Sequence, residues 1–74
     1  MNEKRRVKVR SVIETLQSCS ADLDGIKDDE DEARGNIPEN LQSGDAYTES
    51  ENCSDTISDA IDNITEAIDG LGNI

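Results

Sequence analysis

Residues 53–74 read CSDTISDAIDNITEAIDGLGNI, a stretch in which an apolar side chain returns in alternating steps of four and three residues. This spacing keeps one stripe of an α-helix turned toward a partner helix, as it does in coiled coils. The stripe consists of Cys53, Ile57, Ala60, Ile64, Ala67, Leu71 and Ile74. The sequence therefore predicts that the C-terminal part of the chain is a helix packed against another helix.

The first half of the chain contains the partner stripe with the same spacing. Its members are Val9, Val12, Leu16, Cys19, Leu23 and Ile26. Three further aliphatic residues, Ile13, Ile61 and Ile68, are predicted to lie beside the two stripes. Because one hairpin covers only one side of each helix, we expect a second copy of the chain to cover this extra edge. The expected assembly is a homodimer that forms a four-helix bundle.

A break containing Pro38 separates the two stripes. Proline removes a backbone donor and disfavours helical geometry at Ile37, so a helix ends before this point. Gly35-Asn36 is predicted to end the first helix in the left-handed conformation, and Ser43 or Asp45 to cap the second. The predicted fold class is all-α, an antiparallel, coiled-coil-like two-helix hairpin. A single domain, 1–74, is expected, with helices over about 3–34 and 45–70 and a turn over about 35–44.

Gly25 and the pairing register of the two helices are two further features of the predicted hairpin. Gly25 weakens the first helix by up to about 1 kcal/mol relative to alanine, but the apolar spacing continues past it, so we expect no break there. The favoured register pairs Leu16 with Ala67, so that a large residue faces a small one. The alternative register pairs Leu16 with Ala60, and Gly44 disfavours it because this register draws Gly44 into the second helix.

Composition argues against catalysis. The chain has 74 residues with no histidine, tryptophan or phenylalanine, and Tyr47 is its one aromatic residue. An enzyme with no histidine, one tyrosine and no evident acid–base pair is unusual, so no enzymatic activity is expected. The net charge is −11, divided into +4 over residues 1–10 and −15 over residues 11–74. Such acidity opposes general nucleic-acid binding and suits docking on a basic protein surface.

No cofactor, metal or catalytic site is predicted. The acidic run from Asp22 lacks the glycine that a calcium loop needs at its sixth position, where Lys27 stands. Cys19 and Cys53 are expected to be packing residues, since no histidine is present to complete a zinc site. No secretory leader or membrane-spanning stretch is recognised, so we expect a cytoplasmic protein with reduced thiols.

Residues 36–71 read NIPENLQSGDAYTESENCSDTISDAIDNITEAIDGL. The chain resembles, over most of its length, a group of short proteins from phages and prophages of Gram-positive gut bacteria, and the turn segment is the distinctive part. Proteins of this group are similar in a basic first helix, an acidic run, this turn segment and a second helix of apolar heptads. The group more often has Gly-Ser where this chain has Ser43-Gly44. The resemblance implies a phage origin and a helical hairpin, and no established activity. The matching positions are Pro38, Glu39, Asn40, Leu41, Gln42, Ser43 and Tyr47.

The functional expectation is a non-enzymatic interaction protein that acts in a bacterial host cell. By analogy with small acidic phage proteins, its partner is expected to be a host defence protein with a basic, nucleic-acid-binding surface, which the chain occupies and inhibits. The candidate partner-binding residues are Asp28, Asp29, Glu30, Asp31, Glu32, Glu49 and Glu51. One alternative is a small nucleic-acid-binding or regulatory protein, and another is a structural helper in phage assembly. The first alternative uses the basic N-terminus: Lys4, Arg5, Arg6, Lys8 and Arg10.

Overall fold

A computed structural model describes all of residues 1–74 and shows two helices that pack against each other as a hairpin without strands. Helix α1 spans Glu3–Gly35, and helix α2 spans Asp45–Leu71. A short 3-10 turn, Glu39–Leu41, lies between them. The molecule is a rod with extents of 60 × 15 × 12 Å. The predicted all-α hairpin is therefore confirmed.

The ends of α1 follow from local hydrogen bonding. The Asn2 side chain accepts a bond of 2.9 Å from the Arg5 amide and so caps the first turn. The helix runs through Gly25 without a break, as predicted. At its other end the prediction of a left-handed cap is wrong, because Asn36 has φ −89° and no residue has a positive φ. The Asn36 amide instead donates to the Ala33 carbonyl and the Ile37 amide to the Arg34 carbonyl, which tightens the last turn.

The connecting loop is held by its own hydrogen bonds. The Leu41 amide donates to the Pro38 carbonyl at 2.8 Å, and the Gln42 side-chain amide donates to the Ile37 carbonyl at 3.2 Å. The prediction that a side chain caps α2 is wrong, since Gly44 holds the cap position and supplies only backbone. Leu41 is exposed at the tip of the loop, whereas Ile37 is half-buried.

The contact between the helices differs from the predicted stripes at every second position of α1 and at three of the seven positions of α2. Val9, Leu16 and Leu23 are half-buried as expected. The intervening positions are wrong, because Val12 and Ile26 are exposed and the next residue along the chain is covered instead. Each helix is rotated about its axis relative to the prediction, so that only part of its apolar surface faces the other helix. The half-buried residues of α1 up to the middle of the helix are Val9, Ile13, Leu16, Ser20, Leu23 and Lys27.

Helix α2 shows the same rotation. Ile57, Ala60, Ile64 and Leu71 are half-buried as predicted, but Cys53, Ala67 and Ile74 are exposed. Ser54, Ile61 and Ile68 are covered in their place. Together with Ile13 of α1, Ile61 and Ile68 therefore belong to the contact between the two helices, and their predicted position at a separate edge is wrong.

Polar contacts across the hairpin establish its register. Arg34 donates to Ser50 at 3.2 Å, and Ile13 and Leu71 line one cavity at the other end of the rod. These pairs match the Leu16–Ala67 register to within about one residue. The Leu16–Ala60 alternative is wrong, since it moves the partner of Arg34 to the loop, near Gln42.

No apolar side chain of this hairpin is fully buried. Each helix has one neighbour only, so the apolar residues between them keep part of their surface in water. The one fully buried residue is Ser54, which is 4% exposed. The most enclosed point of the molecule is thus polar, and it lies close to the connecting loop.

Candidate partner-binding surface

The loop end of the hairpin is built around the carboxylate of Asp31. The Ser54 hydroxyl donates to Asp31 Oδ1 at 2.6 Å, and Arg34 donates to the same oxygen at 2.7 Å. Lys27 donates to Asp31 Oδ2 at 2.9 Å. Arg34 also donates to Ser54 at 2.9 Å and to Ser50 at 3.2 Å. We call Lys27, Asp31, Arg34, Ser50 and Ser54 the polar cluster.

The polar cluster shifts the ionisation of its charged members toward their charged forms. The hydrogen bond from Ser54, followed by those from Lys27 and Arg34, lowers the pKa of the Asp31 carboxyl well below its ordinary value. The bond to Asp31 raises the pKa of Lys27 and of Arg34. Asp31 therefore stays ionised and joins α1 to α2, a role within the fold that the sequence did not assign to it.

Sequence reasoning missed four members of the cluster, namely Lys27, Arg34, Ser50 and Ser54. A signal for them is present in the spacing. Lys27 and Arg34 continue the steps of the half-buried residues of α1 beyond Leu23, and Ser50 and Ser54 continue those of α2 before Ile57. A stripe that changes from apolar to polar without losing its spacing indicates a polar contact between the helices.

The other candidate acids surround this cluster and carry no ion pair. Glu30 is half-buried, and Asp28, Asp29 and Glu32 are exposed. The three ion pairs of the structure are Arg10–Glu3, Lys27–Asp31 and Arg34–Asp31. Of the acidic run over 28–32, only Asp31 is thus neutralised by neighbouring cations. The remaining four carboxylates are spread around the circumference of α1, as consecutive helix positions must be.

Helix α2 brings two further acids to the same end. Ser50 accepts a hydrogen bond from Arg34 and stands between Glu49 and Glu51 in the chain, so both glutamates lie level with the end of the acidic run. Both side chains are exposed. Glu49 and Glu30 also line one shallow depression of about 300 Å³, together with Ala33, Arg34, Ile37, Ala46, Ser50 and Cys53. The loop end therefore presents carboxylates from both helices on a short length of the rod.

The basic N-terminus lies at the opposite end. Arg10 pairs with Glu3 at 2.6 Å, and both side chains are exposed. Lys4, Arg5 and Lys8 are exposed and unpaired. Arg6 lines an open cavity of about 290 Å³ with Val9, Arg10, Ile13, Leu71, Gly72 and Ile74. The rod thus has cationic side chains at its open end and a concentration of carboxylates at its loop end.

Neither a metal site nor a membrane-spanning helix is formed by these residues. No three acidic or cysteine side chains are grouped so that they could hold a metal ion together. Cys19 and Cys53 are both free and exposed. Neither helix has a long enough apolar stretch to cross a membrane. Comparison of the chain with protein-family models, with curated proteins and with solved structures found no match in any of the three.

Proposed function

We propose that the chain is a non-enzymatic interaction protein whose loop end binds a basic surface on a partner protein. The observation that carries this proposal is the group of six acids near the loop that form no ion pair. They occur on both helices within a few turns of the loop. The six are Asp28, Asp29, Glu30, Glu32, Glu49 and Glu51.

The partner that fits such a surface carries clustered lysine and arginine side chains. Nucleic-acid-binding channels have this character, because they are built to neutralise phosphates. A helical rod with closely spaced carboxylates presents a row of negative charges, as a nucleic-acid backbone does. We therefore propose that the chain occupies the nucleic-acid-binding surface of a host defence protein and inhibits it inside a bacterial cell. The phage origin implied by the resemblance of the chain to short phage proteins supports this choice.

Capture of the partner, followed by competition, tests this proposal. The immobilised chain is incubated with lysate of a bacterium from the Gram-positive gut group, and the bound protein is identified and purified. We expect a protein with a basic surface, whose complex weakens as salt is added and is displaced by duplex DNA. A complex insensitive to both salt and DNA would contradict the electrostatic account.

A second candidate function is direct binding of nucleic acid through the basic N-terminus. The unpaired Lys4, Arg5 and Lys8 at the open end favour this alternative. It predicts salt-dependent binding of duplex DNA to the chain alone, which the Lys4→Gln, Arg5→Gln and Lys8→Gln variant loses. The first proposal predicts no such binding, because most of the rod is strongly acidic and repels phosphate.

We also propose that the chain is a homodimer with four helices in one bundle. The absence of any fully buried apolar residue in the single hairpin supports this assembly. A monomer of this length buries little surface and is therefore only marginally stable, and such chains are often stabilised by oligomerisation.

A further inference from the structure

One long side of the hairpin is apolar, and all of its residues except the half-buried Ala60 are left exposed by the fold. In α1, Val12, Cys19, Ile26 and Ala33 each come one residue before a covered position, and in α2 the same holds for Ala46, Cys53, Ala60 and Ala67. A step of one residue turns a helix by about 100°. Because the two helices are antiparallel, this turn points to the same side of the hairpin in both. We call these eight residues the flat face.

The structure places both helices on this common side. Ala33 of α1 lines the same depression as Ala46 and Cys53 of α2, although the depression itself lies near the loop. The face continues toward the open end at intervals of seven residues. Val12 is 51% exposed and Ile26 is 55% exposed, and both cysteines are exposed. The two largest side chains of the flat face are therefore in water unless another surface covers them.

Few acidic residues lie beside the flat face, in a chain whose net charge is −11. They lie mainly toward the loop, where Glu30 and Glu49 line the depression that also contains Ala33. The acids of α2 occur mainly at other helix positions, such as Asp55, Asp62 and Asp69. The opposite side of the hairpin is polar, because the residue after a covered position there is Gln17, Asp24, Ser58 or Thr65. A strongly acidic chain meets a second copy of itself most readily through the surface with the fewest carboxylates. Between Val12 and Ile26 the flat face is that surface, whereas the opposite side carries Asp24, Asp55 and Asp62.

The two halves of the flat face are also complementary in size. Val12 and Ile26 of α1 are large, whereas Cys53, Ala60 and Ala67 of α2 are small. When two copies are related by a twofold axis parallel to the helices, α1 of one copy lies over α2 of the other. Large side chains then pack against small ones, which allows close approach. Residues between the helices, such as Leu16 and Ile64, are covered from the same direction.

The size of the flat face is sufficient for a specific contact. From Val12 to Ala33 it runs about 30 Å along α1, and two helices side by side are about 20 Å wide. Each copy would thus bury about 600 Å², or about 1,200 Å² in total, at the lower end of stable interfaces. We propose that the flat face binds the flat face of a second copy and so forms the core of a four-helix bundle. This inference rests on the proposed homodimer, and near the loop the flat face adjoins Glu30 and Glu49 of the proposed partner-binding surface.

Two charge-matched double variants test this inference. Ile26→Glu with Ala67→Glu places two carboxylates on the flat face, and Gln17→Glu with Thr65→Glu places two on the opposite side. Glutamate favours helix, and none of the four positions contributes a side chain to the covered stripe. Sedimentation equilibrium at micromolar concentration should give the unmodified chain and the control about twice the chain mass of 8.1 kDa. The flat-face variant should sediment as a helical monomer.

Two outcomes of that experiment would overturn the inference in different ways. A helical unmodified chain that sediments at 8.1 kDa would remove the homodimer and the flat-face contact together. A flat-face variant that stays dimeric would remove only the assignment of the face. Should this variant lose its helices, thiol labelling of the unmodified chain decides instead. Reaction of Cys19 and Cys53 with a thiol reagent should slow as concentration rises through the dimer range, and concentration-independent rates would reject the face.

Discussion

The two halves of the hairpin are joined by different kinds of contact. Toward the open end, aliphatic residues of α1 such as Val9 and Leu16 pack against isoleucines of α2, and such packing is tolerant of small shifts. Toward the loop, Asp31 is bound by Ser54 on the other helix, and this contact depends on atomic positions. Stability and alignment therefore come from separate halves of the hairpin. The apolar half supplies most of the stabilisation, and the polar cluster selects one register.

The apolar half should be the more sensitive to charge. Ile61→Asp with Ile68→Asp removes two half-buried side chains, each contributing about 1 kcal/mol, and places two carboxylates between the helices. We expect loss of most of the helical signal in far-ultraviolet circular dichroism at 25 °C. Asn63→Asp with Thr65→Asp adds the same charge at exposed positions and should remain helical. Equal spectra for the two variants would show that the isoleucines do not hold the helices together.

The polar half should respond to loss of its central carboxylate in a pH-dependent way. Asp31→Asn removes the acceptor of two ion pairs and should lower the Tm at pH 7. The folded-state pKa of Asp31 lies below its unfolded value, so its stabilisation is present above about pH 4 and is lost as the pH falls through the lowered pKa. The Tm difference from the unmodified chain should therefore shrink in strong acid.

An exposed neighbour provides the control for this measurement. Asp28 has no ion pair, so Asp28→Asn should leave the Tm at pH 7 unchanged or raise it slightly by reducing repulsion. A Tm that is equally low for Asp28→Asn and Asp31→Asn would mean that the polar cluster has no special role.

Within the polar cluster, the buried hydroxyl should matter more than the one at its edge. Ser54 donates to Asp31 and accepts from Arg34, whereas Ser50 only accepts from Arg34. Ser54→Ala should lower the free energy of unfolding by about 1 kcal/mol, and Ser50→Ala by less. Urea denaturation of both variants measures this order. The reverse order would place the centre of the cluster elsewhere.

Gly25 lies where the two halves of the hairpin meet, and its substitution should change the stability least. A Cβ atom built at Gly25 would have nothing within 4 Å. Gly25→Ala should therefore raise the free energy of unfolding by about 0.5–1 kcal/mol through helix propensity alone. Gly44→Ala is the control. Its Cβ would lie 3.2 Å from the Leu41 carbonyl oxygen, so the free energy of unfolding should rise less than in Gly25→Ala. A loss of stability in Gly25→Ala would indicate that α1 bends at this junction in solution.

The same division explains how far the sequence predicts the structure. Pro38 and the two apolar stripes were enough to place both helices, the break and the antiparallel arrangement. The rotation of each helix was not predictable, because the apolar arc is wider than one partner helix can cover. Which part of that arc turns inward depends on both helices at once, and here Asp31 and Ser54 are brought together. Hydropathy alone assigns Asp31 to the surface with its neighbours.

The candidate site divides in a similar way. The concentration of acids near the loop was evident from composition, and so was the presence of Glu49 and Glu51 on the other helix. The internal role of Asp31 was not evident, since it depends on the distance to side chains 23 residues away along the chain. For the same reason Asp31 is best left unchanged in any test of partner binding.

The central functional claim is that acids at the loop end, rather than total negative charge, bind the partner. The most direct test compares the association rates of two fourfold neutralised variants with the partner captured from lysate. The loop-end variant carries Asp28→Asn, Asp29→Asn, Glu32→Gln and Glu49→Gln. The control carries Asp59→Asn, Asp62→Asn, Glu66→Gln and Asp69→Asn, farther along α2. We expect several-fold slower association for the loop-end variant only, and equal slowing of both variants would show that total negative charge governs binding.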